Sequence, residues 1–187
     1  MNNINKIFFD HMNVIQKLNE TNSDLICLIA EIIIKRLKSG SKLIFMGNGG
    51  SASDAQHLSA EFVGRFLKER EPLSAISLST DTSALTAIGN DYGFEKIFER
   101  QIYGLAKKGD IVIGITTSGN SPNILKAIEA ANNLDCITIG LTGRDGGKLK
   151  DICNETIIVP SNTTARIQEA HILIGHILCD IVDSAFD

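Results

Sequence analysis

The chain has 187 residues, 43% of them hydrophobic and 21% charged, with a net charge of −4 at neutral pH. These values suit one soluble globular domain with enough chain for a full core. No basic run occurs, which argues against nucleic acid as a main partner, and no apolar stretch approaches the roughly 20 residues that span a bilayer.

Taken in order, the N-terminal MNNINKIFFDH has no basic flank followed by an apolar core, so no signal peptide is read. Apolar residues at Ile4, Ile7, Phe8, Met12, Ile15 and Leu18 recur at helical spacing over residues 3–20. Thr21-Asn22-Ser23-Asp24 offers N-cap residues, so a break and a second helix to about Leu37 are expected. That second helix is apolar over a wide arc, from Leu25 through Ile29 and Ile33 to Leu37. Such an arc needs cover on more than one side, which predicts a partner subunit. Residues Leu43–Met46 form a short apolar run that reads as a buried strand, followed by a glycine- and serine-rich turn, Gly47–Ser53. An amphipathic helix then carries His57 and Glu61 at i and i+4, on one face.

Arg65–Pro72 is charged and loop-like, and Leu73–Leu78 reads as a second strand. Thr80 to Ser83 supply caps for a helix to about Ile88. Gly89–Gly93 is a turn, and Phe94–Leu105 looks helical. A third strand, Ile111–Ile115, leads into Thr116–Pro122, where Ser121 as N-cap and Pro122 at the first helical position start a helix to about Asn132. Strands follow at Cys136–Leu141 and Thr156–Val159, with Gly143–Gly147 a turn between them. Ser161 to Thr164 cap a last helix reaching about Asp183. The four cysteines are scattered, as reduced core thiols of a cytoplasmic protein would be. Continuous apolar strands alternating with helices predict an α/β fold: a doubly wound, five-stranded parallel sheet with two extra helices in front, all in one domain over 1–187.

Ligands in such folds sit at the carboxyl ends of the strands. Thr116–Ser121 offers hydroxyls and a helix N-terminus but no lysine, which suits a phosphate monoester and excludes the Walker type of nucleotide site. Gly47–Ala52 matches a dinucleotide fingerprint only loosely, and the second strand ends without the acidic residue that would hold a ribose. Either loop alone could be a plain tight turn. Two at equivalent ends of one sheet point to a sugar phosphate. By spacing alone, His57 and Glu61 could be an exposed surface pair; their place directly after the first loop favours a site. In the last helix Gln168, Glu169, His171 and His176 are polar members of an apolar pattern, and each could be a solvated or satisfied structural residue.

The segments GNGGSASDAQHLSAE, AIGNDYG, TTSGNSPN and TARIQEAHILIGH together resemble the sugar isomerase (SIS) domain, and within it the phosphoheptose isomerase family. The resemblance covers nearly the whole chain. It implies the flavodoxin-like strand order and an aldose–ketose isomerase that converts sedoheptulose 7-phosphate to D-glycero-D-manno-heptose 7-phosphate on the way to surface-glycan precursors. It also implies a homotetramer with active sites between subunits, residues 1–38 serving assembly. Carried over by motif, Asn48, Gly49, Gly50, Glu61, Asn90, Asp91, Thr116, Thr117, Ser118, Ser121 and Gln168 would touch substrate, with Ser51 and Ser53 as supporting contacts. The first position of the phosphate loop is often serine in relatives, and Thr116 keeps the hydroxyl. His57, Glu61, Gln168 and His176 would hold zinc, and Glu61 with His176 would form the acid–base pair. Gln168 and His176 lie eight residues apart, about 12 Å along an ideal helix. Either the side chains converge, or the ligands come from different subunits, or the metal is dispensable. Some relatives keep this fold as non-catalytic binding modules, such as a protein that associates with a replication initiator. These lose the carboxylate or the last histidine, and both are present here. Sugar-phosphate-sensing regulators add a DNA-binding domain for which 187 residues leave no room.

Overall fold

The computed structural model describes residues 3–186. In chain order the elements are α1 (Asn3–Lys38), β1 (Leu43–Gly47), α2 (Gly50–Val63), β2 (Ala75–Ser77), α3 (Thr82–Tyr92), a 3-10 turn at Phe94–Lys96, α4 (Glu99–Leu105), β3 (Ile111–Ile115), α5 (Pro122–Asn133), β4 (Ile137–Gly143), α6 (Leu149–Ile152), β5 (Glu155–Val159) and α7 (Thr164–Asp183). The five strands form one parallel sheet in the order β2-β1-β3-β4-β5. Strand order therefore reverses between β1 and β3, which pair with Gly47 opposite Ile115. The crevice expected of a doubly wound sheet opens beyond those two ends.

Alternate strand residues pack to opposite faces. Phe45, Ile113, Ile139 and Ile157 meet α1, α2 and α7 on one side, while Ile44, Met46 and Val112 meet α4 and α5 on the other. Burial on both faces explains why β1 and β3 are unbroken apolar runs.

Several details depart from the sequence reading, among them Gly89–Tyr92, expected as a turn, which instead completes α3. The expected break at Thr21–Asp24 is absent, and α1 runs unbroken for 36 residues. The Thr21 and Ser23 hydroxyls donate to the carbonyls of Lys17 and Asn19, four residues back, so cap-type side chains are absorbed inside a helix. The second strand shrinks to three residues at the sheet edge. The helix expected over Phe94–Leu105 splits at Ile97–Phe98, where both side chains are buried under the sheet.

The apolar arc of α1 divides along its length. Ile26, Ile29, Ala30 and Ile33 are buried against the sheet, whereas Ile4, Ile7, Phe8, Phe9 and Met12 are exposed. This outer half is moored to α7, with His11 Nδ1 2.7 Å from Glu169 Oε2 and Arg166 donating to the Ile7 carbonyl at 3.1 Å. An apolar groove of about 610 Å³, bordered by Met12, Ile15, Leu173 and Ile177, runs between α1 and α7. Among the described residues no helix is long and apolar enough to cross a membrane, and the four cysteines are unpaired.

Candidate active site

Two loops leave adjacent strands at the switch point. Asn48-Gly49 follows β1, and Thr116 to Ser121 follow β3. Each opens a helix whose N-cap side chain makes no capping bond: Gly49 has none to offer, and the Ser121 hydroxyl is turned instead to Thr116 Oγ1 at 2.9 Å. A helix start without an N-cap side-chain bond suits an anion, although the Ser51 N–H here bonds the Asn48 carbonyl and the Ile124 N–H the Asn123 side chain. A cavity of about 120 Å³ lies there, lined by Asn48, Ser51, Thr116, Thr117, Ser118, Ser121 and Gln168 together with Ile115. It contains no lysine or arginine, so an anion bound in it would rest on hydroxyls, amides and helix ends. The Thr116–Ser121 loop is braced from behind, with Leu149 N–H donating to the Gly119 carbonyl and Lys148 N–H to Asn120 Oδ1.

Gly50 lets α7 approach this cavity. A Cβ at that position would sit 2.5 Å from Gln168 Nε2, so any side chain there would displace the Gln168 amide. From this contact α2 and α7 run side by side in the same direction, and two turns further on they bring together three ligand-type side chains. His57 Nε2 lies 2.9 Å from Glu61 Oε1 and 3.3 Å from His176 Nε2. One donor atom from each of the three residues lies within 4.8 Å of the others. The crowding is unusual for hydrogen bonding alone, because a single ring nitrogen has either one proton or one lone pair to share. It fits a shared cation. For tetrahedral coordination with metal–nitrogen bonds of about 2.0–2.1 Å, neighbouring donors lie about 3.3–3.4 Å apart. The His57–Glu61–His176 arrangement can therefore hold a divalent metal ion.

Several groups around this cluster escaped sequence reasoning. Phe66 stacks on the His176 ring, with centroids 5.2 Å apart. The loop carrying Phe66 is latched by Arg70, whose side chain is 1% exposed. Arg70 donates to Asp183 Oδ1 at 2.6 Å and to the carbonyls of Glu61 and Phe62, at the end of α2, at 3.0 Å each. Asp183 Oδ2 accepts from the Leu67 and Lys68 amides. Burial alone would raise the Asp183 carboxyl. The Arg70 bond, the two amides and the Arg70 charge outweigh it and hold the carboxyl below the ordinary carboxylate range. The latch ties the ends of α2 and α7 together. Asp54, one turn before His57, has a carboxyl pushed up to about 6 by burial, with His57 pulling it back. Its Oδ2 is buried without a hydrogen-bond partner. Nothing in the spacing of Phe66, Arg70 or Asp183 marks them, because their partners are remote in sequence.

Of the residues singled out from the sequence, Asn48, Thr116, Thr117, Ser118, Ser121, Gln168 and the supporting Ser51 border the small cavity, and Gly50 packs against Gln168. Gly49 is the N-cap of α2, and Ser53 is an exposed residue of that helix. His57, Glu61 and His176 converge two helical turns away. Gln168 lies at the cavity end of α7. Asn90 and Asp91 stand apart at the end of α3, exposed and bonded to each other at 2.8 Å.

The family profile of the SIS domain matches residues 8–143. The chain is 55% identical over 186 residues to the phosphoheptose isomerase of a Nitratiruptor species, covering all of both chains. It is 56% identical over 177 residues to that of Helicobacter hepaticus, covering 95% of this chain and 90% of the relative. Among solved structures, the phosphoheptose isomerase of Neisseria gonorrhoeae superposes with a TM-score of 0.92 at 43% identity, covering 97% of each chain. That of Francisella tularensis gives 0.94 at 40% identity, covering 97% of this chain and 96% of the other. The chain belongs to the SIS domain family and, within it, to the phosphoheptose isomerases, enzymes that isomerise a sugar phosphate.

Proposed function

We propose that this chain interconverts sedoheptulose 7-phosphate and D-glycero-D-manno-heptose 7-phosphate in the cytoplasm, as the first step toward heptose-containing surface-glycan precursors. The observation that carries the reading is the pairing of two sites along one helix pair. The hydroxyl-lined cavity lies where α2 and α7 begin, and the His57–Glu61–His176 cluster lies two turns further on. A seven-carbon sugar phosphate has an anion at one end and a carbonyl at the other, and such a pair of sites suits it. Thr116, Thr117, Ser118 and Ser121 bind the phosphate, and Asn48, Gly49, Gly50 and Gln168 hold the adjoining chain. Anchoring the phosphate supplies binding energy that positions the reacting carbons.

Moving the carbonyl by one carbon needs a base to take a carbon-bound proton and an acid to protonate the carbonyl oxygen. Glu61 takes the proton from the carbon next to the carbonyl, and His176 donates one to the carbonyl oxygen, leaving an enediol. The return transfers deliver a proton to the former carbonyl carbon and take one from the hydroxyl of the carbon that Glu61 deprotonated, so the carbonyl moves by one carbon and no proton is gained or lost overall. The metal proposed for the cluster is zinc, held by His57, Glu61 and His176; the fourth ligand that the family resemblance implies, Gln168, borders the cavity two turns away in this subunit and would have to come from a neighbouring one. A zinc ion there would act as a Lewis acid on a sugar oxygen.

The assembly proposed is a homotetramer of single-domain subunits with active sites between them. The exposed apolar residues of the outer half of α1 support it, as does the exposed position of Asn90 and Asp91, which would complete a neighbour's site. The decisive experiment is incubation of the purified protein with sedoheptulose 7-phosphate, following the aldose product and deuterium incorporation from solvent. Tight binding without turnover would favour a sugar-phosphate-binding module instead. Light scattering that shows a stable monomer at micromolar concentration would overturn the tetramer.

A further inference from the structure

Asn123, the second residue of α5, is 2% exposed and is none of the residues assigned above to substrate or metal. Its amide is locked to that of Asn48 by a reciprocal pair of hydrogen bonds. Asn48 Nδ2 donates to Asn123 Oδ1 at 2.9 Å, and Asn123 Nδ2 donates to Asn48 Oδ1 at 2.8 Å. The orientation is not arbitrary. Asn123 Oδ1 also accepts from the Ile124 backbone N–H at 3.0 Å, and that group can only donate. The oxygen of Asn123 must therefore face Ile124, and its nitrogen must face Asn48 Oδ1. Asn48 is in turn obliged to present its nitrogen to Asn123 Oδ1. One N–H and one lone pair remain on the Asn48 amide for a ligand, in a fixed arrangement.

Asn48 borders two adjoining cavities. One is the hydroxyl-lined cavity of about 120 Å³; the other, of about 310 Å³, is lined by Asn48, Phe94, Glu95, Ser121, Pro122 and Asn123. The amide pair is also a side-chain link between the loop after β1 and the start of α5, which follows the Thr116–Ser121 loop. Ser121 is the N-cap of that helix, so a bond at Asn123 sets the first loop against the anion-binding end of the second.

We infer that Asn123 is a positioning residue of the sugar-phosphate site: it fixes the orientation of the Asn48 amide and holds the loop after β1 in register with the phosphate-binding helix end. The inference rests on the proposed role of Asn48 as a substrate contact. It makes a distinctive forecast for Asn123→Asp. The substituted carboxylate keeps an acceptor for Ile124 N–H and Asn48 Nδ2, but its second oxygen faces Asn48 Oδ1, acceptor against acceptor. When protonated, that carboxyl can donate to Asn48 Oδ1 and restore the pair. Activity of this variant relative to the unmodified protein should therefore rise as pH falls, which loss of packing alone would not produce.

The test is a double-mutant cycle in the full-length protein, with steady-state kinetics on sedoheptulose 7-phosphate for Asn48→Ala, Asn123→Ala and the pair. Asn123→Ala should lower kcat/KM by about 10–100-fold, mostly through KM, and the double variant should be no worse than Asn48→Ala alone. Should Asn123→Ala fail to fold, Asn123→Asp, which keeps the Ile124 bond, carries the test through its pH profile. Losses that add in the cycle overturn the inference, as does an Asn123→Ala variant that turns over like the unmodified protein, or a flat activity ratio for Asn123→Asp. An unmodified protein with no turnover would instead sink the proposed function, and the inference with it.

Discussion

Gly175 tests whether the spacing of α2 and α7 sets the geometry of the metal-type cluster. Gly175 precedes His176 on α7, and Leu58 follows His57 on α2. A Cβ on residue 175 would lie 2.4 Å from Leu58 Cδ2, 2.6 Å from Cδ1 and 3.0 Å from Cγ. Carbon atoms in contact sit about 3.5–4.0 Å apart, so Gly175→Ala requires a movement of about 1 Å at this point. Leu58 is 2% exposed and has little room to turn away, so part of the movement must be taken up between the helices. Overpacking of this kind costs about 1–3 kcal/mol, while alanine regains about 1 kcal/mol over glycine in a helix. The net loss of stability should thus be small, about 0–2 kcal/mol. The effect on the site should be larger. A 3.3 Å approach between His57 and His176 does not survive a displacement of that size, and misplacement by about 1 Å can cost about 100-fold in rate. The assays are urea unfolding, turnover and zinc titration of the same preparation. Gly175→Ala should remain folded yet lose turnover and metal affinity together, and Leu58→Ala in the same chain should recover part of both. A Gly175→Ala protein with unchanged turnover and zinc affinity would refute the reasoning.

Glu61→Gln and His176→Gln should each cut turnover by at least about 100-fold while the substrate still binds, whereas Ser118→Ala should act mainly on KM; near-normal turnover by Glu61→Gln would remove it as the base. Elemental analysis of a metal-replete preparation should find zinc, and chelation should lower activity; a zinc-free preparation of undiminished activity would contradict the metal assignment. His171 is fully buried, and burial pulls its pKa from 6.5 down to about 4, the bond to the Thr142 carbonyl offsetting only part of the shift. The unfolded chain then binds a proton that the folded one refuses, so stability should fall as pH drops from 6.5 toward 4. The loss should reach about 3 kcal/mol, at about 1.4 kcal/mol per unit. Urea unfolding at fixed protein concentration reads it, and a His171→Leu variant with the same acid slope would show that other groups are responsible.

Much of the architecture is legible in the sequence for a local reason. The unbroken apolar runs of β1 and β3 and the 3.6-residue periodicity of α2 and α7 record which faces must leave water, and that requirement acts residue by residue. The hydroxyls of Thr116–Ser121 and the glycines before α2 mark the helix ends suited to an anion in the same way, because a helix start carries its chemistry in neighbouring residues. Local signals fail where one pattern serves two conformations. Thr21 and Ser23 read as caps, yet their hydroxyls bond within α1, and only the packing of Leu18 and Ile26 on the same core decides that the helix continues. The partners of the candidate site lie further still from local control. His57 meets His176 across 119 residues, Arg70 meets Asp183 across 113, and Asn48 meets Asn123 across 75. These pairs depend on the order of strands in the sheet and on the close approach of α2 to α7. Hydrophobic periodicity says that a face is buried but not against what, so those distances exist only once the chain has folded.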